Sequence, residues 1–253
     1  MGATLGFGID IGGSGIKGCT VDLDAGQLHG ERIRIATPDP SKPDAVADVV
    51  KHIIDEFGWT GPVGVTLPAV IKRGVAHTAA NIDKSWLGTD ASALFAERLG
   101  LTPAEVVVLN DADAAGLAEI RYGWPDDRDG VVVLLTFGTG IGSALFLDGQ
   151  LVPNTEFGHL EVDGHDAETR AAASVKEEQN LSWADWAQRV TRYIRGLEDL
   201  IWPDLIIAGG GVSKKADKWL PLLEVRTKVV AAELRNDAGI VGAAVAVREG
   251  LHR

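Results

Sequence analysis

Two stretches of this chain, more than a hundred residues apart, follow one plan. FGIDIGGSGIKGCTVDLDAGQL (Phe7 to Leu28) and LLTFGTGIGSALFLDGQL (Leu134 to Leu151) each run from an apolar strand into a glycine turn. Each then continues through a second apolar strand and a G-Q-L turn toward a third. Strand–glycine–strand hairpins are common, but here the turn chemistry repeats along with the strands. The separation is too long for a short-period solenoid. The echo therefore predicts two similar α/β lobes within 253 residues, each built on a glycine hairpin.

The intervening segments read as mixed α/β. In PDAVADVVKHIIDEFG, after the Pro-rich loop TPDPSKPD, the residues Val46, Val49, Val50, Ile53, Ile54 and Phe57 recur at helical spacing, and Gly58 is a suitable stop. PVGVTLPAV and EVVVLN read as strands. DADAAGLAEIRYG reads as a helix whose early acidic residues favour its positive end. Ser182 and Asp185 resemble a capping box opening a helix with Trp183, Trp186, Val190, Ile194, Leu197 and Ile201 on one face, ended by Pro203. DLIIAGGG reads as a buried strand entering a glycine turn. The expected division is a first lobe over residues 1–110, a second over 111–238, and a C-terminal helix at about 239–253 packing back on the first.

Charge narrows the partners. The formal net charge is −12, with 36 Asp and Glu against 24 Lys and Arg. Non-specific nucleic-acid binding and attachment to an anionic membrane both need a basic face, so neither is expected. A phosphate ligand stays open, because backbone N–H groups and a few lysines can bind one inside an acidic molecule. The longest apolar runs, such as Val131 to Leu135, are too short to span a bilayer, and no signal-peptide pattern opens the chain. Cys19 is the single cysteine, which excludes an internal disulfide and a cysteine zinc cage. A cytoplasmic location is expected.

Gly13-Ser-Gly15-Ile-Lys-Gly18 satisfies the dinucleotide pattern G-x-G-x-x-G. That fingerprint needs a helix after its third glycine, and CTVDLDAGQL reads as another strand and a turn. The loop does not match a P-loop either. What remains is a hairpin bending at Gly12, Gly13, Ser14 and Gly15, whose glycines allow positive φ and close approach of N–H groups to an anion. Ser14 adds a hydroxyl and Lys17 a cation, while Asp10 is placed to hold Mg²⁺ through water. A plain tight hairpin with solvent-exposed Asp and Lys accounts equally well for this one loop. The second bend, with Thr136, Gly138, Thr139 and Gly140, favours two loops clasping a polyphosphate.

At this point the residues resemble a family. Asp10-x-Gly-Gly with Gly138-Thr139-Gly140 is similar to the phosphate grip of the two-lobed actin/hexokinase-like (ribonuclease H-like) fold, with a duplicated glycine-hairpin β-sheet core. LNDADAAGLAE and EFGHLEV resemble the ROK family of repressors, open reading frames and sugar kinases, from about Gly8 to Val247. AANIDKSW, PNTEFGHLEV and IAGGGVSKKADKW resemble, more narrowly, its polyphosphate-using glucokinases and glucomannokinases. The resemblance implies phosphoryl transfer from inorganic polyphosphate, with ATP as an alternative donor, to the 6-hydroxyl of glucose, with mannose as a second acceptor. It also implies Mg²⁺ and a homodimer.

Residue by residue, the resemblance implies that Asp111 is the catalytic base. Read alone, Asp111 or Asp113 would cap a helix. Asn81 and Asn110 are implied as sugar contacts, although either suits a turn. Glu156 and His159 are implied for the sugar hydroxyls, where His159 alone reads equally as a structural histidine. Many ROK proteins follow this histidine with a zinc-binding cysteine cluster; here LEVDGHDAETRAAASVKE has none, so no structural zinc is expected and something else must order the segment. Glu168 falls near the family's last sugar-binding glutamate. Gly210, with Lys214, Lys215 and Lys218, borders the implied outer-phosphate region, and a solvated helix face is the competing reading. The rival functions are an ATP-only glucokinase, a sugar-sensing regulator, which in this family carries a DNA-binding segment ahead of the sugar domain, and a chaperone-like ATPase.

Overall fold

The computed structural model describes residues 2–251. By internal contacts the chain divides into two units, one running to Tyr122 and resuming at Asp237, the other Gly123–Asn236.

In the first unit, β1 (Leu5–Gly12) and β2 (Gly15–Asp22) form an antiparallel hairpin closed by Gly12 opposite Gly15. The short strands β3 (Gln27–Leu28) and β4 (Ile33–Ile35) both pair with β2. There follow α1 (Pro43–Phe57), β5 (Val63–Leu67), a small hairpin of β6 (Ile71–Lys72) and β7 (Val75–Ala76), α2 (Ala91–Leu99), β8 (Val106–Asn110) and α3 (Asp111–Ala118). The sheet order is β3–β2–β1–β5–β8, with β1, β5 and β8 parallel. α1 forms as its periodicity predicts: Pro43 sits in the first turn, Val46, Val50, Ile53 and Ile54 are buried, and Gly58 ends it at φ 59°.

The C-terminal helix (Ala238–Arg248) lies against β1, β5 and α3. Its approach explains three glycines, because a methyl group on Gly8, Gly64 or Gly242 would strike a backbone carbonyl of Ile240, Ala243 or Ala114 respectively. That close seam holds α3 in the first unit, so the division falls after Tyr122 instead of at 110. The helix ends at Arg248 and Gly250 follows at φ 65°; residues 252 and 253 of the expected 239–253 helix lie outside the described residues.

In the second unit, β9 (Val131–Phe137), β10 (Ile141–Leu147) and β11 (Gln150–Val152) form the second hairpin and its extension. Then come the small hairpin β12 (Glu161–Val162) and β13 (His165–Asp166), α4 (Glu168–Ala171), α5 (Ala173–Glu178), α6 (Trp183–Ile201), β14 (Leu205–Gly210) and β15 (Lys228–Ala231). The sheet order is β11–β10–β9–β14–β15, with β9, β14 and β15 parallel. It repeats the first sheet: an antiparallel trio, then two strands parallel to the first of the trio. The expected duplicated glycine-hairpin core is what the chain forms. α6 opens at Ser182, whose hydroxyl accepts from the Asp185 N–H at 3.1 Å. Trp186 and Trp219 are buried with Phe137, their ring centroids 5.0–5.7 Å apart, so these tryptophans are core.

Candidate active site

In the first unit, the pleat sets Asp10 opposite Lys17 on β2 and opposite Thr66 on β5. Lys17 Nζ lies 2.8 Å from Asp10 Oδ2. The buried Thr66 hydroxyl donates to Asp10 Oδ1 at 3.1 Å and accepts from the Ile11 N–H at 3.2 Å. A methyl on Gly239, in the first turn of the C-terminal helix, would come within 2.9–3.3 Å of the Asp10 carboxylate, so the positive end of that helix abuts it. The carboxylate is thus oriented by three elements and is 16 % exposed, which leaves it reachable by a ligand.

The hairpin tip is pinned through its carbonyls. Thr37 Oγ1 donates to Gly12 O at 2.6 Å, and Arg34 Nη2 to Ser14 O at 3.1 Å. None of Gly12, Gly13 and Gly15 lies at positive φ, which corrects the part of the expectation for this tip that concerned backbone angles; Gly138 and Gly140 do not lie there either. Gly13 and Gly15 provide space: a methyl on Gly15 would meet the Arg34 guanidinium, and one on Gly13 would press on Asn81, whereas Gly12 has only an ordinary contact and Gly138 faces open space. Asn81 itself takes φ 58°, a left-handed conformation asparagine tolerates, and is exposed beside this tip. Trp86 of the same loop is fully buried, donates to Ser41 O at 2.9 Å and packs near Phe95, so it belongs to the core.

β8 delivers Asn110 and Asp111 to the start of α3. Asn110 is the helix cap: its Oδ1 accepts from the N–H groups of Ala112 at 2.8 Å and Asp113 at 3.2 Å, and its Nδ2 donates to Ala69 O at 3.2 Å. The capping role read for Asp111 or Asp113 therefore falls to Asn110. Asp113 is buried, whereas Asp111 is exposed at the helix N-terminus, with Oδ1 3.0 Å from the Ala112 N–H.

In the second unit, EFGH forms a 3₁₀ turn, Phe157–His159, laid on β10. Gly158 permits this, because a methyl there would strike Ile141 O. Ser143 Oγ holds the turn from below, accepting from the Phe157 N–H at 2.9 Å and donating to Thr155 O at 2.6 Å. His159 Nδ1 lies 2.9 Å from Asp166 Oδ2 and 3.8 Å from Glu168 Oε1. Glu168 Oε2 accepts from the Ile141 N–H at 3.1 Å and fills the space where a side chain on Gly140 would go. The structure thus brings Glu168 to both His159 and the second glycine turn.

This cluster perturbs its own titration. The Asp166 hydrogen bond, opposed by burial, raises the His159 pKa. Desolvation raises Glu156, with His159 pulling it down and Glu168 pushing it up, although the Glu156 side chain keeps an open face to solvent. Ligand-type atoms of His159, Asp166 and Glu168 lie within 4.8 Å of one another, close enough to hold a metal ion.

Asp166 was missed from the sequence, although the Asp163-Gly164 pair between two short runs is a hairpin signal. Both residues take positive φ, at 53° and 76°, and the resulting β12–β13 hairpin swings Asp166 back to His159. Arg192 grips Asp163 with two bonds, of 2.8 and 2.5 Å. Hairpin and clamp together hold this cysteine-free segment.

Thr136 is half-buried near the end of β9, opposite Gly209 of β14. Gly210 ends β14 at φ 83°, where a methyl would strike the Phe137 backbone. Lys214, Lys215 and Lys218 are all exposed on a 3₁₀ run, Gly211–Lys218, instead of an α-helix; Trp219 anchors the run in the core.

The model of the ROK family matches residues 6–173. The polyphosphate glucokinase of Mycobacterium tuberculosis is 61% identical over 241 residues, covering 95% of this chain and 90% of that protein. The solved inorganic polyphosphate/ATP-glucomannokinase of Arthrobacter sp. strain KM superposes with a TM-score of 0.90 at 52% identity, over 98% of this chain and 99% of that one. A Streptomyces griseus ROK glucokinase, solved with glucose and AMPPNP, shares the fold at a TM-score of 0.81 and 24% identity, over 98% of this chain and 100% of its own.

Proposed function

The chain belongs to the ROK family, and from that premise we propose that it transfers the terminal phosphoryl group of inorganic polyphosphate to the 6-hydroxyl of glucose, giving glucose 6-phosphate. Its 61% identity to a polyphosphate glucokinase supports the choice of donor and sugar. The observation that carries the chemistry is Asp111. Because Asn110 caps α3, the Asp111 carboxylate stands exposed at the end of a buried strand, at the positive end of a helix. A carboxylate so placed accepts the proton that a sugar hydroxyl sheds as it attacks phosphorus.

Other residues take supporting roles in this reading. Glu156, His159, Glu168 and Asn81 bind sugar hydroxyls, and so does Asn110 through the amide N–H left over from Ala69. Backbone N–H groups of the glycine hairpins, around Gly12–Gly15 and Gly138–Gly140 apart from the Gly138 N–H that donates to Gly140 O at 2.9 Å, hold phosphate oxygens with Ser14, Thr136 and Thr139. Lys17 acts chiefly by orienting Asp10. Gly210, Lys214, Lys215 and Lys218 lie toward the distal phosphates. The donor set around Asp10 fits Mg²⁺: one hard carboxylate oxygen pair with unused lone pairs, the remaining ligands being water and phosphate. When bound, Mg²⁺ supplies charge that neutralises the phosphate oxygens.

ATP as a second donor, mannose as a second acceptor, a homodimer and residence in the cytoplasm belong to the same proposal. No described helix is long and apolar enough to cross a membrane. The test is glucose 6-phosphate formation with Mg²⁺, on polyphosphate and ATP side by side at equal phosphoryl concentration. Faster turnover on polyphosphate supports the reading. Turnover on ATP alone replaces it with an ATP-only glucokinase, and turnover on neither removes the kinase assignment.

A further inference from the structure

The second unit contains a cavity of about 650 Å³, a size common for small-molecule sites, and none of the proposed sugar or donor residues lines it. Its wall includes His165, Arg170, Gln188, Arg189, Arg192 and Tyr193. In a chain of net charge −12, three arginines around one cavity run against the composition. The cavity also has two carboxylates, and both are already engaged. Asp163 is bound to Arg192 by two bonds, and Asp185 accepts from the Ser182 hydroxyl at 2.6 Å. Arg170 and Arg189 have no carboxylate partner among the described residues. Arg170 Nη2 lies 2.6 Å from His165 Nε2, and Arg189 Nη1 makes a long 3.4 Å contact with Arg170 O.

A second, independent observation points to a ligand. Tyr193 is 1% exposed, and its hydroxyl has no hydrogen-bond partner among the described residues. A buried hydroxyl left unpaired is costly, and such groups usually mark an absent water or ion. Burial pushes the phenol pKa far above its ordinary value, so at any working pH this group is a hydrogen-bond donor. Two guanidinium groups without a carboxylate partner and an unpaired phenol make a set of donors whose capacity the described protein groups do not fill. A carboxylate satisfies one guanidinium fork, whereas a tetrahedral oxyanion presents oxygens to donors in several directions.

We propose that this cavity binds a phosphate-class anion, either orthophosphate or a segment of a phosphate chain, through Arg170 and Arg189 with the Tyr193 hydroxyl as a third donor. The site shares no residue with the His159–Glu168 cluster, although α4 carries both Glu168 and Arg170. It rests on the cavity's own chemistry; only the choice of a phosphate chain as one probe leans on the proposed reaction.

The test is calorimetric titration of the full-length protein, without sugar or divalent metal, using orthophosphate and a polyphosphate of defined length as separate probes. Wild type is compared with the Arg170→Ala/Arg189→Ala double variant and with Tyr193→Phe, which keeps the buried ring. The double variant is expected to weaken binding by about tenfold or more, and Tyr193→Phe by about threefold. Weakening of both probes identifies free phosphate as sufficient; weakening of polyphosphate alone, with no orthophosphate binding to wild type, identifies the chain. Equal binding of both probes by all three proteins overturns the site, as does absence of binding to wild type. Should the double variant lose its native near-ultraviolet circular dichroism, Tyr193→Phe carries the decision by itself. Catalytic turnover has no part in this readout, so failure here is separate from failure of the proposed reaction.

Discussion

Replacing Thr66 by valine keeps the side-chain shape and deletes one oxygen, and that oxygen links the sheet to the proposed metal carboxylate. Thr66 is 0% exposed, so no water replaces what is lost. Two interactions go. The Ile11 N–H loses the acceptor it has at 3.2 Å, and Asp10 Oδ1 loses a donor at 3.1 Å. A buried N–H without a partner costs about 1–3 kcal/mol, and a hydrogen bond to a charged acceptor contributes about 1.5–3 kcal/mol. Asp10 keeps Lys17 at 2.8 Å and can settle toward it, so the two losses do not simply add. We expect a destabilisation of about 2–4 kcal/mol, which for a chain of this size lowers the melting temperature by roughly 5–15 °C. Freed from Thr66, the carboxylate swings toward Lys17, so turnover falls and the apparent Mg²⁺ requirement rises. Thr66→Ser restores the hydroxyl and is expected to recover both. The assays are thermal unfolding and Mg²⁺-dependent glucose 6-phosphate formation, with Mn²⁺ binding followed by electron paramagnetic resonance as a readout independent of turnover. A valine variant melting within about 2 °C of wild type, with unchanged metal affinity, would refute the argument that Thr66 orients Asp10.

Other outcomes follow from the same geometry. Asp111→Asn is expected to lower kcat by about 10²- to 10⁴-fold with KM for glucose largely kept; near-normal turnover removes Asp111 as the base. In Gly140→Ala the added methyl meets the Glu168 carboxylate, so KM for glucose rises while melting changes little; an unaltered KM would mean that Glu168 does not hold the sugar. Asp166→Asn removes the main cause of the raised His159 pKa, so the imidazole titration, followed by proton NMR, moves down toward 6.5. The sign for stability follows. The pair's contribution is complete below about pH 6.5 and lost as pH rises through the raised value, so the stability gap between wild type and Asp166→Asn is widest on the acidic side and closes above it. A His159 midpoint that does not move in the variant contradicts the assigned cause.

What could be read from the sequence was local or periodic. α1 and α6 announced themselves because a 3.6-residue apolar repeat, a Pro or Ser start and a Gly or Pro stop agree on the same boundaries. The two sheets were legible through the echoed turn chemistry, which no single strand would have revealed. Asn81, Asp111, Glu156 and His159 became candidates through the family resemblance, but their surroundings could not be read. That Asn110 rather than Asp111 caps α3 depends on which side chain turns back along the helix, and both types cap well. Asp166 and Thr66 act on partners 7 and 56 residues away, brought near by a hairpin and a parallel crossover. The hairpin glycines show a different limit. Positive φ and close approach to a ligand could be proposed for the first tip, but that Gly13, Gly15 and Gly140 serve as room could not, because the neighbours that need the room, Asn81, Arg34 and Glu168, come from other elements.

The duplication itself separates scaffold from chemistry. In the first sheet, the partly buried position before the glycine turn is Asp10, with Lys17 across the hairpin and Thr66 on the parallel neighbour. Following the echo, the same position in the second sheet is Thr136, with Gly142 across its hairpin and Gly209 on the parallel strand. One frame therefore carries a charged, fully interlocked trio, and the other carries a hydroxyl flanked by two residues without side chains. The first trio is suited to fixing a carboxylate, and through it a cation. The second leaves the backbone on both sides of Thr136 bare, which lets a bulky anion approach closely without meeting a like charge. The two hairpins are thus alike in fold and complementary in electrostatics. If that complementarity is what the duplication serves, Thr136→Asp should be worse for donor affinity than Thr136→Val, because it restores to the second frame the charge that the first already supplies. Equal KM values for polyphosphate in the two variants would show that size, and not charge, governs that position.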